Sequence, residues 1–551
     1  MKKMFAVLMI ILMVLPTTYV VASEIAVLPA FDVSFNGQLV ESNYRQFPLI
    51  VYKDITYVPM TYFDCRYLGL TTNWDNDTRT LSINKENITC TYRDYKQDSV
   101  NKKSFTPVVC DFNIIVNNKK IDNLTEEYPL LTFRDVTYFP LTWRFAVEEF
   151  GWEYSFDSEN GLVINSSNYH TESIELPHIS GSAVFDGEYY YYNGKMDDEN
   201  VVYTAFHETT DKPYVLHHLP DTNLSWSVGF KKSYDGMYIT YTAGSSPVMS
   251  TQKFYKVDAR SNTVEAQKPA SYMYSAHGYS EIGVRNEEIS VFCENPYFDS
   301  ATKITYIKNG ETHEMPVLPG RVRVGCRRIN GKLYDRVSDT ACIKIFGDKI
   351  YFMAFDYETE KCQSGIYVID TNTNSVEKII EEADGAFYVY DGWISAMSPN
   401  TTMIIYGKNG CLYRYTEANS KTDKIYNGGE NTDMVLCGVA GRYNIYVGLQ
   451  SLDGAKTSVM LFDAYADGRN ATSEIFATTT GTRISSGNGK LIASVYGESP
   501  DDNVRLLVVG YDEESGKTID FRTSDVSTWA SVCGNYLLYS VDGKTVKVNL
   551  E

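Results

Sequence analysis

The chain has 551 residues, 50 Lys+Arg against 70 Asp+Glu, a formal net charge of −20, and 14% aromatic residues including 44 tyrosines. That apolar content excludes a disordered chain, and the length implies about two to four domains. The negative charge repels phosphate backbones and anionic bilayers, which excludes nucleic acid as a general partner.

Lys2 and Lys3 precede an apolar run from Met4 to Leu15, then Pro16 and the small residues Val21, Ala22 and Ser23. This is the layout of a secretory signal peptide over residues 1–23, with the mature chain starting near Glu24. The apolar run falls short of the roughly 20 residues that span a bilayer. The mature chain is expected to have no transmembrane segment and to be secreted or extracellular, with cell-wall association as a further option. Ten cysteines are spread from Cys65 to Cys533 without a C-x-x-C spacing, and most lie in strand-like apolar runs. They read as buried thiols in preference to disulfides, and no metal site or cofactor is expected.

Residues 31–83 recur at 112–164. Asn36 and Asn117, Pro48 and Pro129, Tyr57 and Tyr138, Pro59 and Pro140, and Ile83 and Ile164 are each 81 apart. Lys53-Asp54 and Arg134-Asp135, between β-rich runs, read as hairpin tips. Pro59 and Pro140 are expected at the first position of a helix of about nine residues, and Gly69 and Gly151 just past its end. Trp74 or Phe156 with the following Leu/Ile pair supplies a closing strand. Each copy is therefore a small α+β module, a sheet packed on one short helix.

The pattern V-x-x-N-G, turn, T-Y-V-P-[LM], L-G, W-D, L-x-I resembles the copper amine oxidase-like N-terminal domain found in tandem on exported bacterial proteins. The resemblance implies copy one over 24–88, a connector over 89–106 and copy two over 107–168. It implies a stalk and not an oxidase, and Thr61 and Thr142 stand where the family usually has Arg. The residues agree: no Asn-Tyr-Asp/Glu segment and no His-x-His pair is present to build a copper–quinone centre. His217 and His218, adjacent on a strand, point to opposite faces and make poor joint ligands.

From 172 to 551 short alternating strands recur every 40–60 residues, the clearest being Glu188–Tyr192, Met237–Tyr241, Ile289–Phe292, Ile350–Met353, Met403–Tyr406, Tyr443–Val447, Leu491–Val495 and Tyr536–Tyr539. Four strands per unit predicts a mainly β chain ending in a β-propeller of eight blades, or seven if Thr312–Thr340 hides no boundary. Ser173–Pro177 is expected to complete the last blade. Ser233-Tyr-Asp235-Gly236 and Ser398-Pro-Asn400 resemble the turn of TolB-like propeller repeats, and the order of the domains resembles exported proteins with an uncharacterised propeller.

No G-x-S-x-G elbow occurs. The acidic runs Asp197-Asp198-Glu199 and Asp501-Asp502 read as solvated turns. Tyr189 and Tyr191, from the run Tyr189–Tyr192, are candidate stacking residues. Arg321, Arg323, Arg327 and Arg328 are a candidate anion site. The chain is thus expected to be a non-enzymatic, envelope-associated protein whose propeller binds an envelope protein or glycan. The alternative is a propeller glycoside hydrolase or lyase acting on extracellular polysaccharide.

Overall fold

The computed structural model describes residues 25–551 except 220–227, 245–250, 277–278, 296–300, 316–317, 319–321, 326, 330–332, 336–341, 357–363, 393–400, 430–431, 440–443, 452–454, 464–471, 480, 488–489, 497–502 and 513–514. The signal-peptide segment, Arg321, Ser398–Asn400 and Asp501-Asp502 thus lie outside the described residues. The chain forms two units, one of residues up to 86 with 92–168, the other of 87–91 with 169–551. Among the described residues no helix is long and apolar enough to cross a membrane.

In the duplicated unit, Lys53 (φ 51°) and Asp54 (φ 62°), like Arg134 (52°) and Asp135 (61°), form the two-residue turns of twin hairpins. The hairpins meet edge to edge. Ile55–Pro59 runs antiparallel to Val136–Pro140 with Val58 opposite Phe139, the residue 81 positions on, so a pseudo-twofold axis passes between them. The copies also interlock. Val33–Phe35 of copy one runs parallel to Gly161–Asn165 of copy two, and Asn113–Val116 runs parallel to Thr80–Lys85. Each copy's sheet is completed by a strand of the other.

This exchange explains the repeated motif residues. Asn36 donates to the Tyr67 carbonyl at the helix end (3.1 Å) and accepts from the Ser166 amide of the other copy (2.8 Å). Asn117 repeats this with the Glu149 carbonyl (2.7 Å) and the Lys85 amide (2.8 Å). Pro59 and Pro140 end their strands and do not open the helices. The caps are Thr61 and Thr142, whose hydroxyls accept from Asp64 N (3.1 Å) and Phe145 N (3.5 Å). Gly69 (φ 78°) and Gly151 (φ 67°) take the left-handed position after each helix, as expected.

The two helices differ. Tyr62–Tyr67 is α-helical, whereas Trp143–Glu149 is a π-helix in which Phe150 N donates to Phe145 O (3.0 Å). Thr61 to Gly69 spans one residue fewer than Thr142 to Gly151. The extra residue is absorbed as a wider turn between fixed ends.

The propeller unit is a succession of antiparallel sheets with strands in chain order. Blade 1 is Ile179–Phe185, Tyr189–Met196, Glu199–Phe206 and Tyr214–His218. Blade 2 begins at Gly229–Ser233 and blade 3 at Tyr279–Arg285; a further strand, Ser271–Ala276, joins these two blades into one continuous sheet. Blades 4 to 8 begin at Ile343–Phe346, Asp384–Gly392, Thr432–Val439, Thr482–Gly487 and Ala530–Cys533. The eighth has three strands of its own, and Glu172–Ile174 pairs with Lys544–Asn549 to supply the fourth. The architecture is an eight-bladed β-propeller, and the eight strands expected from the sequence fall on second strands of blades, except that Glu188 precedes its strand and Tyr443 lies outside the described residues.

First strands touch in ring order, blade 3 through blade 8, then blade 1 and blade 2, so they form the inner ring. Side chains alternate between the two flanking seams. Tyr190 and Tyr192 pack with Phe185 and Leu538 toward blade 8, while Tyr191 packs with Val202 and Ile239 toward blade 2. At about 1.5–3 kcal/mol for each large apolar side chain buried, these seams dominate the stability of the ring.

Residues 87–91 leave the duplicated unit and lie on the propeller. Thr89 makes a parallel bridge to Thr523, at the end of blade 7. Thr91 donates from its amide (2.8 Å) and hydroxyl (3.2 Å) to the buried Asp525 carboxylate, which also accepts from Tyr539 (3.0 Å). Ile88 and Cys90 of this strap are buried.

Candidate binding site on the propeller

Among the described residues, the sequence candidates lie on separate elements. Tyr191 is buried, its hydroxyl donating to Asp186 (3.1 Å), and burial followed by the Asp186 charge holds its phenol well above the usual range. Both faces of its strand are covered by neighbouring blades, so the tyrosine run is seam packing; Tyr189 is half-buried beside Phe206. Arg323 lies on Val322–Val324, paired to the second strand of blade 4, and Arg327 and Arg328 on a separate hairpin with Leu333–Asp335. Asp197-Asp198 is a tight turn (φ 47° and 68°). His217 faces the Tyr255 ring (4.4 Å) while His218 faces Glu199 (3.4 Å), on opposite sides of their strand. The seven described cysteines with placed side chains are buried thiols.

A different cluster occupies the seam of blades 2 and 3. The added strand Ser271–Ala276 pairs with the inner strand of blade 3, placing Tyr272 opposite Gly283 and Tyr274 opposite Glu281. A Cβ on Gly283 would stand 2.2 Å from the Tyr272 ring, so only glycine leaves room for it. The Tyr272 hydroxyl donates to Glu281 Oε1, which also accepts from Lys268 Nζ (2.7 Å), and Tyr279 donates to Oε2 (3.0 Å). The Lys268 ammonium lies 4.7 Å from the Tyr272 ring centroid and 5.2 Å from that of Tyr274.

Glu294, opposite Glu281 on the next strand, also approaches the Tyr279 hydroxyl (3.5 Å). In the turn between Ser233 and Gly236, Asp235 accepts from Arg285 (2.8 Å) and Tyr238 (2.8 Å). Burial opposes ionisation of Glu281, but the hydrogen bonds from Lys268 and Tyr272 outweigh it and hold its carboxyl below the usual range. Burial and then the Asp235 contacts push the Tyr238 phenol up to about 12. The result is an ionised carboxylate, an ammonium and three phenols on the inner side of one seam. Such a set can hydrogen-bond and stack on a polyol, and it contains two facing carboxylates. The signal in the sequence was the alternation Tyr272-x-Tyr274 and Tyr279-x-Glu281, a strand with one aromatic, polar face.

No family model matches the chain, and no curated protein matches it. Among solved structures it is similar to a chain from a study of two prolyl endopeptidases, with 13% identity, a TM-score of 0.33, and coverage of 61% of this chain and 47% of that one. It is similar to prolyl oligopeptidase B from Galerina marginata (11%, TM-score 0.34, 64% and 51%). It is also similar to TolB from Acinetobacter baumannii (13%, TM-score 0.28, 65% and 78%). The chain spans about half the length of the two peptidases. The expectation that the chain is not an enzyme is corrected here, because similar chains include the peptidases and a Bacteroides fragilis protein named for 6-phosphogluconolactonase. Likeness at this level transfers no activity to this chain.

Proposed function

We propose that the chain is an exported, cell-envelope-associated propeller protein that takes a glycan at the Lys268–Tyr272–Tyr279–Glu281 cluster. In this reading the duplicated unit is a stalk of the copper amine oxidase-like N-terminal type. The observation that carries it is a charged, tyrosine-lined carboxylate site on the inner strand of a blade, where packing alone calls for apolar residues. A second reading, a glycoside hydrolase or lyase, is favoured by Glu281 and Glu294 sharing the Tyr279 hydroxyl, a carboxylate pair such as glycosidases use.

The test is co-sedimentation of the full mature chain with cell-wall sacculi, together with release of reducing ends from the pelleted glycan. Pelleting that falls about tenfold in Glu281→Gln supports glycan binding at the cluster. Release of reducing ends by the wild type that is lost in Glu294→Gln selects the enzyme. A mature chain that stays in the supernatant and releases nothing rejects both.

A further inference from the structure

A cavity of about 470 Å³ in the duplicated unit is lined by Pro29–Asp32 and Leu39–Tyr44. Its size suits a small ligand. The lining carries two carboxylates, Asp32 and Glu41, with the aromatic rings of Phe31 and Tyr44, and neither Lys nor Arg. Tyr44 and Leu39 are 43% and 47% exposed, so the Tyr44 ring and the aliphatic surface there are available to a ligand.

The wall of this cavity is held in advance. Asn101, itself buried, donates to the carbonyls of Ser42 (2.8 Å) and Arg45 (2.7 Å), and Gln97 N donates to Tyr44 O (2.8 Å). Arg45, fully buried next to the loop, pairs with buried Asp64 and donates to Tyr92 (3.1 Å). A buried ion pair contributes little net stability, so fixing one arrangement of the loop is the role that suits it here.

The second copy is an internal control. At the positions 81 further on it keeps Phe112 for Phe31 and an acid, Asp122, for Glu41, but has Asn113 for Asp32, Lys120 for Leu39 and Thr125 for Tyr44. The supporting pair is gone as well, with Glu126 for Arg45 and Phe145 for Asp64. The copies share a fold, so residues that only copy one holds are not demanded by that fold.

We infer that this cavity binds a sugar residue bearing a free amino group. The pyranose face stacks on Tyr44 while the ammonium is drawn to Asp32 and Glu41, and the absence of cations in the lining disfavours acidic sugars. This inference is independent of the propeller site, which it neither uses nor requires.

The experiment is calorimetric titration of the full mature chain, at low salt and mildly acidic pH, with a glucosamine tetramer, its N-acetylated form and a lysine tripeptide. The expected result is saturable binding of the glucosamine tetramer, at least about tenfold weaker for the other two and weakened by salt. The double variant Asp32→Asn, Tyr44→Thr carries residues that copy two accommodates at the same places, and Glu41→Gln is the second probe. Both are expected to weaken binding about tenfold with the melting temperature unchanged. Absence of saturable binding, equal binding of the lysine tripeptide, or loss of binding only together with a fallen melting temperature overturns the proposal.

Discussion

Glu281 is a partly buried carboxylate whose titration is set by its neighbours. Its folded-state pKa is depressed by Lys268 and the tyrosines despite burial, so it binds fewer protons folded than unfolded over the acidic range. Its stabilising contribution is therefore present above the ordinary glutamate range near ~4.3 and lost as pH falls through the lower folded value. Glu281→Gln is expected to flatten the acid limb of a melting temperature against pH profile while changing the neutral plateau less. A wild-type acid limb retained in the variant excludes Glu281 as its source. The cluster was hard to read because its members are scattered over 27 positions and become neighbours only through a strand pairing. The conspicuous tyrosine run was misleading for the converse reason, since a strand covered on both sides uses aromatics as packing.

The duplicated elements were legible almost residue by residue. An offset of 81, two-residue turns and left-handed glycines all follow from local chemistry. Strand exchange was not legible, because a sequence repeat specifies which strands exist and says nothing about which copy completes a sheet. The π-helix was legible only as the shift of that offset to 82 between Gly69 and Gly151. If the wide turn is merely an accommodated insertion, deleting the exposed Glu148 restores the copy-one length. The deletion variant is expected to fold, with a melting temperature within about 4–8 °C of wild type, the shift that roughly 1 kcal/mol produces in a small domain. Failure to fold would show that the seventh helical residue is required.

Across the whole molecule the blade count and the closing strand near residue 173 followed from the spacing of second strands, because each blade repeats one supersecondary unit. The strap of residues 87–91 was not foreseen, since nothing in Asn87–Thr91 names a partner at Thr523 and Asp525. Asp525→Ala leaves the Thr91 amide and the Tyr539 hydroxyl without their acceptor, and is expected to lower stability by about 1–3 kcal/mol in denaturant unfolding. An unchanged midpoint would show that the strap contributes nothing. The strap also imposes an order in time. Thr91 and Asp525 are 434 residues apart, and at roughly 5–20 residues per second a nascent chain holds Ile88 and Cys90 without their partners for about 20–90 s. Final assembly must therefore wait for the last blades, and a chain halted before blade 7 would display an apolar segment that a chaperone or protease can recognise.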